Sequence, residues 1–248
     1  MRLIFTVCIG MFLFLSCKKE VAPPEGPATK PVSFSSSAYE NACSWDSTGK
    51  PDCLLARDNI SHALLGFATG TLQEGKDLRY THPELLSSTA IGDIQITQSS
   101  DVFITFLMQG TSQKNAFAYY TFPTSQPPKS AADIKKITYV FPSVGFGTPL
   151  QPGDKVQIGR FDPGTSIGFV LLQDAWDPFT RRPNNEAVHF CTNDVLNPET
   201  NPQLKKHAVL VNYAPENKIL IGFDDANRTT ASCDHDFNDV VLYATIKP

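Results

Sequence analysis

The feature that most limits the fold is a series of short apolar runs that fills the chain from Ile91 onward. They are rich in Val, Ile, Phe, Tyr and Thr, and clusters of Pro, Gly and Asn separate them. Such runs are strand signals, because β-branched and aromatic side chains fit a pleated surface while Pro and Gly interrupt pairing. The runs are Asp93–Thr97, Val102–Met108, Ala116–Phe122, Ile137–Phe141, Lys155–Phe161, Ser166–Leu172, Ala187–Cys191, His207–Tyr213, Lys218–Phe223 and Val240–Ile246. No segment of helical length and period lies between them, which speaks against βαβ units and a parallel sheet. The expected fold is all-β, an antiparallel β-sandwich or jelly-roll-like domain. Ahead of it, Leu54, Leu55, Ile60, Leu64, Leu65 and Phe67 fit helical spacing and predict a short N-terminal helical segment over 58–67.

The start of the chain carries a different signal. Arg2 precedes the apolar run Leu3–Leu15, which is shorter than the roughly 20 residues that cross a bilayer as a helix and reads as a secretory signal. It ends in Phe14-Leu15-Ser16-Cys17 followed by Lys18-Lys19-Glu20. That junction resembles a bacterial lipobox, and the Ser-Cys-Lys-Lys-Glu order is similar to lipoproteins of the Bacteroidetes. The resemblance implies a signal peptide over residues 1–16, lipidation of Cys17, and an outer-membrane lipoprotein on the periplasmic face or cell surface. Several acyl chains hold a protein to a membrane where one would not. Residues 17–37 are rich in Pro, Ser and Ala and read as a tether, leaving 38–248 as one β-sandwich domain.

Charge and cysteine usage remove several classes of function. The 21 basic and 25 acidic residues leave a net charge of −4 with no basic stripe, so nucleic acid is not an expected partner. The cysteines form no CxxC pair, which removes zinc ribbons and thioredoxin-like chemistry. Outside the cytosol, Cys43, Cys53, Cys191 and Cys233 can form two disulfides. Of the three connectivities, Cys43–Cys53 with Cys191–Cys233 is preferred, and free buried thiols are the alternative. Gly164-x-Ser166-x-Gly168 has the spacing of a nucleophile elbow, but a turn precedes the serine and a strand follows it, where an elbow needs a strand and then a helix.

The segment Lys218–Thr245 holds the densest chemistry. A strand delivers Asp224 and Asp225, a polar loop follows, and Asp234-x-Asp236-x-Asn238-Asp239 leads into the next strand. Carboxylates crowded in this way repel one another unless protons, hydrogen bonds or a cation intervene. Oxygen-only side chains at alternate positions suit Ca²⁺, which takes six to eight oxygen ligands. An EF-hand is excluded, since Asp239 stands where its loop needs Gly and Thr245 where it needs Glu. The alternatives are a solvated acidic loop with Asx-turns, or a transition-metal site using His235, which carboxylates with one imidazole fit poorly. Trp176, Arg181 and Arg182 share a polar loop and form a candidate contact surface for a glycan or protein ligand. The alternative is that Trp176 folds back over an end of the sandwich.

The stretch GFDDANRTTASCDHDFNDVVLYAT resembles the signature of the bacterial Domain of Unknown Function family 4114. Upstream, Asp101–Phe106, Asn115–Phe122, Gly153-Asp154-Lys155, Gly164–Val170, Asn197-Pro-Glu199 and His207–Leu210 are similar to LruC-type proteins that carry this domain, so the likeness spans about residues 90–248. It implies an extracellular or cell-surface all-β domain with functional acidic residues, here Asp225, Asp236, Asn238 and Asp239. The expected function is a lipid-anchored, Ca²⁺-binding envelope module for binding or adhesion. A carboxylate- or metal-dependent polysaccharide hydrolase and a structural envelope component are the alternatives.

Overall fold

Both main sheets are covered on both faces, and this explains why their central strands are apolar almost throughout instead of alternating. The computed structural model describes residues 32–248; the expected signal peptide and lipidated Cys17 lie outside them. Its strands are β1 (Ala38–Asn41), β2 (Ile94–Gln95), β3 (Ser100–Gln109), β4 (Ala116–Pro123), β5 (Lys136–Phe141), β6 (Lys155–Phe161), β7 (Thr165–Leu172), β8 (Trp176–Asp177), β9 (Arg182–Pro183), β10 (His189–Cys191), β11 (Ala208–Tyr213), β12 (Lys218–Phe223) and β13 (Val240–Lys247). One sheet runs β1-β5-β4-β7-β10, with β2 also paired to β7, and the other runs β11-β12-β13-β3-β6; β8 and β9 form a separate ribbon. The β1–β5 pair is parallel and the other pairs are antiparallel.

Phe117, Ile167, Phe169 and Leu171 of one sheet meet Ile104, Ile221, Phe223 and Leu242 of the other in the central core. The opposite face of β7 is equally apolar because Val170 and Leu172 pack with Tyr120, Ile137, Cys191 and Leu196. On the outer face of the second sheet, helix α1 (His62–Thr71) lays Leu64 and Ala68 against Val209, Leu220, Val241 and Tyr243. Gly222 is required where this layer crosses β12, since a Cβ there would fall 2.5 Å from the Phe237 carbonyl oxygen and from Leu72 Cδ1.

Helix α1 begins later than the spacing predicts. Asp58 is occupied instead: its N–H goes to the Gly153 carbonyl at 2.9 Å, and its carboxylate accepts the Tyr243 hydroxyl at 2.9 Å and pairs with Lys155. Ser61 then caps the helix by accepting the Leu64 N–H at 3.0 Å. The packed domain also begins before residue 38. Phe34 is buried and stacks on His189 at 4.3 Å, so the tether reading does not extend through residues 32–37.

Cys43 and Cys53 are joined by a disulfide. Cys191 and Cys233 are separate buried thiols, which overturns their proposed pairing. Cys191 lies in the apolar layer over β7, while Cys233 turns toward Asp224. Ser166 is fully buried within β7 and its hydroxyl meets that of Thr124 at 3.0 Å, so its GxSxG spacing has no nucleophilic geometry.

Candidate functional site

Pairing of Phe223 with Val240 at the ends of β12 and β13 sets Asp224 and Asp225 across from Asp239. The six residues read from the sequence divide there into three groups. Asp225 and Asp239 form the first. Asp239 Oδ2 accepts the Asp225 N–H at 2.8 Å, and Asp225 Oδ2 accepts the Thr111 hydroxyl and the Asn115 amide, each at 2.5 Å. Burial raises the Asp225 carboxyl above the usual range, and burial with the neighbouring Asp225 charge pushes Asp239 up to about 8. Asn115 Oδ1 in turn accepts the Asp174 N–H at 3.0 Å, and the Asp225 carbonyl accepts Gln173 Nε2 at 2.7 Å, so the pair fixes the chain just before β8.

Asp224, Cys233 and His235 form the second group, all buried, with ligand-type atoms within 4.8 Å of one another. The Cys233 thiol donates to Asp224 Oδ2 at 3.1 Å, and burial pushes that thiol well above its usual range. A cation already stands beside them. Arg228 is buried, its Nε donates to His235 Nδ1 at 3.1 Å and lies 3.9 Å from Asp224 Oδ2, and its guanidinium sits over the Phe237 ring. Burial first and then Arg228 lower the His235 pKa to about 4. The group is therefore a hydrogen-bonded network with a buried guanidinium beside it. Close by, the buried Glu199 and His207 face each other at 2.9 Å, and His207 Nδ1 donates to the Asp224 carbonyl at 3.0 Å.

Glu74, Asp234 and Asp236 form the third group, with carboxylate oxygens within 4.8 Å of one another. Glu74 and Asp234 are exposed, whereas Asp236 is buried. Asp236 Oδ2 accepts the Gly75 N–H at 2.8 Å and Oδ1 accepts the Asn238 N–H at 3.2 Å. Burial, then Asp234 and Glu74, push the Asp236 carboxyl up to about 6. A Cβ on Gly110 would stand 3.2 Å from Asn238 Oδ1 and 3.3 Å from Glu74 Oε2, so both oxygens approach one point that the glycine leaves open. The connecting backbone is strained, with φ of 60° at His235 and 61° at Phe237. A left-handed conformation costs a non-glycine residue on the order of 1–3 kcal/mol and persists where its surroundings enforce it.

The six positions do not converge on one centre. Asp236 stays near Asp234 and accepts the Asn238 N–H, while Asp224 turns to Cys233 and Arg228 and Asp225 turns to Thr111 and Asn115. Glu74, Thr111, Asn115 and Arg228 were not identified as site residues in the sequence. Glu74 sits in an ordinary-looking Gln73-Glu74-Gly75 turn, and only the fold brings it to the acidic loop.

The second expected surface also divides. Trp176 is only 6% exposed and packs beneath the Cys43–Cys53 loop, so it is a packing residue and not the expected ligand contact. Gly49, at φ 85°, makes room for it: a Cβ there would fall 3.0 Å from the Trp176 ring and 2.6 Å from Ser143 Cβ. Arg181 and Arg182 are exposed and line an open cleft with Trp45, Tyr39 and Tyr139.

Residues 161–247, from the end of β6 through β13, match the model of a family described as Domain of unknown function (DUF4114). The matched span includes all three acidic groups except Glu74 and the Thr111 and Asn115 partners. No curated protein and no solved structure matches the chain.

Proposed function

We propose that this protein is a lipid-anchored envelope β-sandwich that binds Ca²⁺ at Glu74, Asp234, Asp236 and Asn238 and acts as a binding module for an extracellular ligand. The observation that carries the reading is the approach of three carboxylates within 4.8 Å. The donor set is oxygen only, which suits a hard cation. When bound, Ca²⁺ would supply charge neutralisation and hold the 234–238 loop to the segment after α1. The mixed Asp224–Cys233–His235 group fits a metal less well, because the Arg228 guanidinium, a cation, already donates to His235 and stands 3.9 Å from Asp224.

A role in binding is favoured over hydrolysis by what surrounds the Asp225–Asp239 pair, whose carboxyls burial raises. Asp225 has its Oδ2 taken by Thr111 and Asn115, and its N–H is held by Asp239. Those bonds lock the β3–β4 and β12–β13 loops together at the end of the sandwich and leave Asp225 buried. Calorimetric titration of the full-length protein with Ca²⁺, beside an Asp234→Asn/Asp236→Asn variant, tests the proposal. Saturable uptake by the wild type alone supports it, and equal behaviour of the two proteins contradicts it.

A further inference from the structure

We infer that the cleft between β1, the disulfide loop and the β8–β9 ribbon is a binding site for an acidic, uronate-bearing glycan. The inference rests on the binding-module reading above and gives that module a ligand class. The cleft has a volume of about 740 Å³, and its lining includes Tyr39, Asn41, Trp45, Arg181, Arg182 and Asn185.

Three observations point to this ligand. The first is charge. Among the described residues neither Arg181 nor Arg182 has an ion-pair or hydrogen-bond partner for its guanidinium. Asp46, the acid next to Trp45 in the disulfide loop, is already occupied by the Thr48 hydroxyl and the Thr48 and Lys50 N–H groups, and neither it nor Asp52, the loop's other acid, lines the cleft. Two forked cations left open in one cleft match carboxylates, which accept guanidinium bonds in pairs.

The second is the company they keep. Half-buried Tyr39 and Trp45 and the buried Tyr139 supply aromatic surface, and Asn41 and Asn185 supply exposed amides. Aromatic faces with amides suit the C–H faces and hydroxyls of sugars. Nucleic acid is a poor match, since two arginines on a chain of net charge −4 cannot follow a phosphate backbone.

The third is preorganisation. Arg181 is held at φ 58°, with its N–H on the Asp177 carbonyl at 2.7 Å and its own carbonyl accepting the Trp45 indole N–H at 3.1 Å. Tyr139 donates to Asn185 Oδ1 at 2.9 Å, and Tyr39 meets His189 Nε2 at 2.8 Å. The Cys43–Cys53 bridge closes the loop that presents Trp45, and Trp176 supports that loop from below. Rigid walls lower the ordering cost of binding.

The test is calorimetry on the full-length protein in detergent with hyaluronan hexasaccharide, which bears glucuronate, against neutral chitin hexasaccharide. Binding of the first and not the second is expected. Arg181→Ala/Arg182→Ala should weaken it by about tenfold or more, as loss of charge-assisted bonds implies. Arg181→Lys/Arg182→Lys should fall between, and thermal midpoints should stay unchanged because both side chains are exposed. Equal binding of the two oligosaccharides, no binding of the acidic one, or full affinity in the alanine variant overturns the inference. Each titration is run in chelator and in Ca²⁺. Ca²⁺ uptake without hyaluronan binding removes the cleft assignment alone, and hyaluronan binding without Ca²⁺ uptake removes the metal site alone.

Discussion

Asp236 Oδ2 accepts the backbone N–H of Gly75 at 2.8 Å, joining two segments that lie far apart in the chain. This bond fixes the turn after α1 against the acidic loop and sets Glu74 beside Asp234 and Asp236. Because Glu74 is exposed, Glu74→Gln should leave the fold intact. Its expected effect is a loss of about tenfold or more in Ca²⁺ affinity by calorimetry, the loss of one charged ligand. Without metal the variant should be as stable as the wild type or slightly more so, since one of the repelling charges is gone. Unchanged affinity would remove Glu74 from the ligand set.

Gly222 lies where the Phe237 carbonyl and Leu72 cross β12. Gly222→Ala is expected to destabilise the protein by about 1–3 kcal/mol, the usual cost of forcing atoms into a packed core, and by more if the backbone cannot move. Urea unfolding measures it. A shift below about 0.5 kcal/mol would mean that the α1 layer is looser than described.

His189 carries a pH dependence of definite sign. Its pKa falls from 6.5 to about 4 on folding, chiefly through burial. The folded state therefore binds fewer protons between these values. The contribution is present above pH 6.5 and is lost as pH falls toward 4, by on the order of 3 kcal/mol at most. His189→Gln should flatten the stability profile in that window relative to the wild type, and parallel profiles would contradict the account.

The Asp225–Asp239 pair acts in the opposite sense. With Asp239 raised to about 8, its contribution is present below pH 3.8 and declines as pH rises through 8. In chelator, Asp239→Asn should gain stability over the wild type progressively from pH 5 to pH 8. An equal difference at both ends would show that the charge is not the cause.

Cys191 and Cys233 are buried, and burial pushes both thiols far above the usual range. Alkylation followed by mass spectrometry should leave them unmodified in the native protein and label both after unfolding without reductant. A disulfide-linked peptide joining them would contradict the structure.

The sequence made the strands legible because each has a local signature. All ten predicted runs overlap observed strands. The edge strand Ala38–Asn41 was missed because Ala-Tyr-Glu-Asn carries no strand periodicity and is specified by its pairing with β5. Asp234, Asp236 and Asn238 could be read because alternate oxygens lie in one short loop. Glu74 and Asn115 could not, since only tertiary packing brings them there. The Cys191–Cys233 pairing failed for the same reason, as spacing says nothing about which layer a thiol enters.

The most direct test of the central claim is thermal unfolding of the full-length protein in Ca²⁺ and in chelator, alongside Asp234→Asn/Asp236→Asn. A ligand that binds only the folded state stabilises it by about 2.7 kcal/mol at a hundred times its Kd. The account predicts a midpoint that rises with Ca²⁺ concentration in the wild type and does not move in the variant. A wild-type midpoint that is the same in Ca²⁺ and in chelator would contradict it.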